Sequence, residues 1–117
     1  MAETTHFELV TPARIMAQKA VQMVVAPGVE GLFGVLPRHA PFLAGLDRGI
    51  VEVHEDGKIT NRIMIDGGLA DVSGESITIL AERAIDLDTA DANALRETAS
   101  AANEAEANFL NAVIAEL

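Results

Sequence analysis

Hydrophobic and polar positions alternate over much of the first 85 residues. Phe7 and Leu9 alternate with His6 and Glu8. Val21, Met23 and Val25 share one parity within residues 19–25, although Val24 interrupts the other. Residues 50–54 are rich in β-branched side chains and half polar. Ile59, Ile63 and Ile65 share a parity opposite Thr60 and Arg62, as Ile77 and Ile79 do opposite Ser76 and Thr78. A period of two sends alternate side chains to opposite faces of a strand, so each run predicts one. Asp56-Gly57 separates two of these runs. Both central residues of a type I′ turn need positive φ, so this pair predicts a hairpin. Ser73-Gly74 reads as a second tight turn.

All nine glycines and all four prolines lie within residues 12–74. Frequent turn residues suit short strands, and their absence afterwards suits helix. Residues 86–117 hold ten Ala among 32, and Ala has the best helix propensity. Asp88 is the expected N-cap of a first helix, with Asp91 favouring the positive end of its dipole. Asn103 followed by Glu106 resembles a second N-cap with its reciprocal carboxylate. These signals predict two helices, 88–101 and 104–116, with a turn at 100–103. A single helix of about 48 Å is the alternative. Phe109, Val113 and Leu117, beside Leu110 and Ile114, give the last turns a wide apolar face. The expected fold is mainly β with an α tail: an antiparallel β-sandwich or barrel over 1–85 and a short helical hairpin or helix over 86–117.

Composition narrows the function. The chain has 117 residues, enough for one core and too few for two large ones. A net charge of −10 and only four aromatics, all Phe, argue against nucleic acid, which calls for clustered bases and stacking platforms. Without cysteine there is no disulfide, thiolate metal site or cysteine nucleophile. The polar, acidic start is unlike a signal peptide, and no window approaches a membrane span. Any membrane association is expected through partners, not by direct insertion. The charge is uneven: residues 1–85 carry −4, and residues 86–117, with Arg96 as the one base, carry −6.

Candidate chemistry is sparse. No nucleophile elbow, zinc-protease helix or phosphate-binding loop is present. His6, His39 and His54 are far apart in sequence, so no catalytic or metal site is expected and no cofactor is called for. An enzyme reading would need Asp66 or Asp71 beside a His in a pocket. Lys58 follows the Asp56-Gly57 turn. A Lys near a hairpin tip suggests an acyl or biotin carrier domain modified there, although such domains place the Lys in the turn itself. The densest segment is 27–49. Gly28, Gly31 and Gly34 give it freedom for positive φ or close approach, and Pro37 and Pro41 stiffen it around His39.

That segment carries a resemblance. From Pro27 to Pro41 the chain matches the Pro-Gly-x-Glu-Gly-x-x-Gly-x-x-Pro-x-His-Ala-Pro run of the epsilon subunit family of the rotary ATP synthase, named delta in mitochondria. Other family features follow in order: an opening strand at 7–12, Leu46-Asp47-Arg48-Gly49, Gly67-Gly68 with Val72, and Leu80-Ala81-Glu82-Arg83-Ala84 closing the last strand. The resemblance covers residues 6–92 well and the tail more loosely. It implies a sandwich of about ten strands followed by a helical domain. It also implies a non-catalytic central-stalk subunit that couples c-ring rotation to the catalytic head together with gamma, at the cytoplasmic face of a bacterial inner membrane. Glu30, Gly31, Leu32, Phe33 and Gly34 match the c-ring contact. Arg38, His39, Ala40, Pro41 and Phe42 match surface shared with gamma. Contact with the alpha/beta head would be transient at most.

The tail departs from the family. Members that bind ATP carry Ile/Leu-Asp-x-x-Arg-Ala on the first tail helix. Here Leu87 and Asp88 match, but Asp91 stands at the Arg position, exchanging a phosphate-binding cation for an anion. Nucleotide binding is therefore expected to be weak or absent. Many bacterial members inhibit hydrolysis with a long basic second helix that pairs with acids on the beta subunit. This tail is acidic and short, so like charges would repel it from that target, and weak or no inhibition is expected.

Overall fold

The computed structural model describes residues 3–117. Its first strand, β1 (Thr5–Val10), turns Thr5, Phe7 and Leu9 into the core, as the alternation predicts. It pairs antiparallel with β2 (Ile15–Val21). The run at 19–25 is two strands rather than one, because the chain breaks at Gln22. β3 (Met23–Gly28) then buries Val24 and Ala26, so the interrupting Val24 is the core residue and Met23 and Val25 are only half-buried. β4 (Gly31–Val35) returns as a hairpin beside β3.

Two long strands follow, β5 (Phe42–Glu55) and β6 (Lys58–Val72). Asp56 and Gly57 take φ of 53° and 75° and close them into the expected hairpin. β7 (Ser76–Ala81) continues from a turn in which the Ser73 amide bonds the Ser76 carbonyl. β8 (Ala84–Asp86) is a short edge against β6. The strand order is β2-β1-β7-β6-β5-β3-β4. The β1–β7 pairing is parallel and all the others are antiparallel.

There are eight strands instead of about ten. The difference lies in β5 and β6, whose runs are continuous where the sequence suggests separate short strands. In the first half of β5 the even positions 42, 44 and 46 face inward, and in the second half the odd positions 51 and 53 do. β6 changes phase at the same height, from Ile63 and Ile65 to Ala70 and Val72. Side chains alternate strictly along a strand, so the change of phase marks a corner. There the one sheet folds over on itself, and residues from every strand from β1 to β7 share a single buried core.

The tail forms α1 (Ala92–Ala101) and α2 (Glu104–Ala115). The break at Ala102–Asn103 settles the choice between one helix and two. The N-cap of α1 is Asp91, whose carboxylate accepts from the Asn93 amide at 2.9 Å, and not Asp88. Asp88 instead sits in a turn where its own amide bonds the Asp86 carboxylate, which delays the helix by a turn. Asn103 caps α2 through the Glu106 amide, as expected. The Glu106 side chain does not return the bond; it lines a cavity with Arg14 and Arg83. Phe109, Leu110 and Val113 of α2 bury against Met64 and Leu87 in a second, smaller core, flanked by Ile50 and Ile85. α1 buries no residue fully.

Candidate partner-contact surfaces

Residues 30–34 form the tip and outgoing arm of the β3–β4 hairpin. Gly31 holds φ at 126°, a conformation L side chains rarely adopt. Gly28 serves by its size instead, since a Cβ there would meet the Gly31 carbonyl at 2.8 Å. Gly34 has ordinary room. Glu30 and Gly31 are exposed, and Leu32 leaves 74% of its surface in water. With Val29 and Leu43, also exposed, Leu32 borders a shallow groove of about 440 Å³. Phe33 points the other way and packs on the core.

Residues 38–41 lie in the loop between β4 and β5, and Phe42 begins β5. Arg38 holds φ at 64°, and the His39 amide bonds the Leu36 carbonyl, so the loop is a defined turn. His39 Nδ1 lies 2.9 Å from the Ala40 carbonyl. The His39 ring meets Phe42 edge-on at 5.0 Å between centroids, and Phe42 meets Phe33 at 5.6 Å. This aromatic chain brings the two candidate segments together. Arg38 reaches Glu3 at 3.0 Å, with both side chains well exposed.

A third feature is not legible in the sequence. Ile15, Val10, Leu80 and Leu69 are successive cross-strand partners on β2, β1, β7 and β6, and Leu69 faces Gly45 on β5. Cross-strand partners share a face, so these residues form one transverse row about 20 Å long on the outside of the sheet. Ile15, Leu69 and Leu80 are exposed. Gly45 leaves space that Val29 fills, 3.5 Å from where a Cβ would stand, and this carries the row to the 30–34 tip. A contiguous exposed apolar row of this kind marks an interaction surface. Only strand register reveals it, and one sequence does not give register.

The catalytic candidates are dispersed. Among the described residues no three His, Asp or Glu side chains gather as metal ligands. Asp66 lies between Arg48 and Arg83, and Asp71 opposes Leu43 and Thr78. Lys58 begins β6 opposite Glu55, outside the turn that a carrier domain would use. Glu55 itself bonds Lys19 at 2.8 Å and the Thr60 hydroxyl, and these bonds hold its carboxyl below the usual range. No helix among the described residues is long and apolar enough to cross a membrane.

The family model for the ATP synthase Delta/Epsilon chain beta-sandwich domain matches residues 4–87. The chain belongs to the ATP synthase delta/epsilon family. It is 43% identical over 104 residues to the ATP synthase epsilon chain of Rhodospirillum rubrum, covering 89% of this chain and 78% of that one. It is 46% identical over 113 residues to the epsilon chain of Maricaulis maris, covering 91% and 84%. Among solved structures, a chain of the Euglena gracilis mitochondrial ATP synthase OSCP/F1/c-ring assembly aligns with a TM-score of 0.69 at 25% identity. That alignment covers 83% of this chain and 62% of the Euglena chain. A chain from the Tetrahymena thermophila central stalk and c-ring shares the fold, with a TM-score of 0.61 at 15% identity. The family match corrects the carrier-domain alternative at Lys58, and epsilon-type chains carry no catalysis of their own.

Proposed function

We propose that this chain is the non-catalytic epsilon-type subunit of the central stalk of a proton-translocating ATP synthase, coupling c-ring rotation to the catalytic head together with gamma. The observation that carries this is the family match over residues 4–87, joined to a fold whose exposed apolar surface lies on shaped loops and one sheet face. The relatives belong to a membrane-associated complex. For this chain we place the complex at the cytoplasmic face of a bacterial inner membrane.

In this reading residues 30–34 meet the c-ring, with Leu32 and Val29 as the apolar contact and Glu30 as its polar rim. Residues 38–42 meet gamma, and the row Ile15–Val10–Leu80–Leu69 extends the gamma-facing surface. The aromatic chain Phe33–Phe42–His39 ties the two contacts into one stiff unit, which suits transmission of torque. Asp91 is engaged as a helix cap where ATP-binding relatives carry Arg, so the tail binds nucleotide weakly or not at all.

Affinity purification of the tagged chain from its source membranes tests the reading. Alpha, beta and gamma should co-purify, and a Leu69→Asp/Leu80→Asp variant with an unchanged thermal melt should lose them. Recovery of the parent chain without gamma would overturn the assignment.

A further inference from the structure

One polar cluster is left unused by the stalk contacts, and it lies beneath the tail. Asp66 on β6 is 14% exposed and splits its carboxylate between two arginines. Oδ1 accepts from Arg48 Nε on β5 at 2.8 Å, and Oδ2 accepts from Arg83 Nη1 ahead of β8 at 2.9 Å. The Asp66 amide also bonds the Arg83 carbonyl, so backbone and side chain fix the same pair. The Arg48 guanidinium stands 5.9 Å from the centroid of the Phe109 ring. Phe109 is the only aromatic residue of the tail and is fully buried. The charged groups around α2 divide unevenly: Arg14 and Arg83, offset by Glu82, border Glu106 with a net positive charge, while Arg48 and Glu52 cancel beside Glu116.

We infer that Asp66, Arg48 and Arg83 form a clip that holds the terminal helix on the sandwich by presenting the Arg48 guanidinium to the face of Phe109. The clip needs a planar cation that donates sideways from Nε while stacking on the ring. Arg does both at once, and the point charge of Lys cannot. Asp66 acts as a positioning residue, since its carboxylate bonds Arg48 and Arg83 and so sets where Arg48 lies.

Amide hydrogen exchange on the full chain tests this, with amides of β5 and β7 as the internal reference. Asp66→Asn and Arg48→Lys should each speed exchange of the α2 amides about five-fold while the reference amides keep their protection. Phe109→Leu retains apolar bulk and removes the ring. Adding Arg48→Lys to Phe109→Leu should then cause no further acceleration, because the two residues act through one contact. Parental protection of α2 in Arg48→Lys, loss of protection spread equally over β5 and β7, or additive effects in the double variant would each overturn the clip. The measurement concerns the isolated chain, so its outcome is independent of the co-purification that tests the stalk assignment.

Discussion

Glu55 is the residue whose surroundings give it a defined pH response. Its bonds to Lys19 and to the Thr60 hydroxyl favour the ionised form and lower its pKa from 4.5. The unfolded chain therefore holds the proton more tightly. The contribution to stability is fully present above about 4.5 and fades as pH falls through the lowered folded value. Its side chain is 29% exposed, so solvent screening keeps the effect small. A Glu55→Gln variant should melt slightly below the parent at neutral pH and lose that difference in acid. Thermal melts from about pH 7 down to about pH 3 give the comparison, and a constant gap between the two proteins would contradict the argument.

At the scale of elements, the corner in the β5–β6 ribbon decides the architecture, because it lets two strands serve both layers. Gly68 is held at φ 146°, and a Cβ there would lie 2.1 Å from the Leu80 carbonyl. The obstacle is backbone, which cannot swing aside. Gly68→Ala should therefore cost about 3 kcal/mol, read as a lowered urea midpoint. Gly74→Ala has open space and should stay within about 0.5 kcal/mol of the parent. The same corner explains what the sequence could and could not reveal. Local chemistry was readable: Asp56-Gly57 named its turn, Asn103 its helix, and the alternation at Phe7 and Ile77 its inward faces. The corner was not, since nothing in the alternation of β5 or β6 marks where the sheet folds over, and the figure of about ten strands came from the family resemblance alone. Asp88 lost the cap to Asp91 because the Asp86 carboxylate captured its amide first. Residues 30–34 and 38–42 were located by motif, whereas their link through Phe33 and Phe42, and the row from Ile15 to Leu69, arise from pairings between distant strands.

For the whole molecule, charge and packing divide it differently. Residues 1–85 carry −4 and residues 86–117 carry −6, yet α2 shares a buried core with Met64, Ile50 and Ile85 of the sheet. An inhibitory tail must leave that core, extend and meet acidic groups on the head. Here release would expose Phe109, Leu110 and Val113, a loss of about 1.5–3 kcal/mol for each large side chain. The liberated segment would carry like charge to its target. Its second helix, twelve residues long, spans only about 18 Å. All three effects oppose extension, so we propose that the tail stays docked during turnover. Removing residues 88–117 keeps β8 paired to β6 and keeps the Leu87 amide on the Arg62 carbonyl, so the sandwich is left whole. ATP hydrolysis by the enzyme assembled with this truncated chain should match that of the enzyme with the full chain. Several-fold activation on truncation would mean that the tail does reach the head, and that packing and charge have been overcome by a contact the docked form does not display.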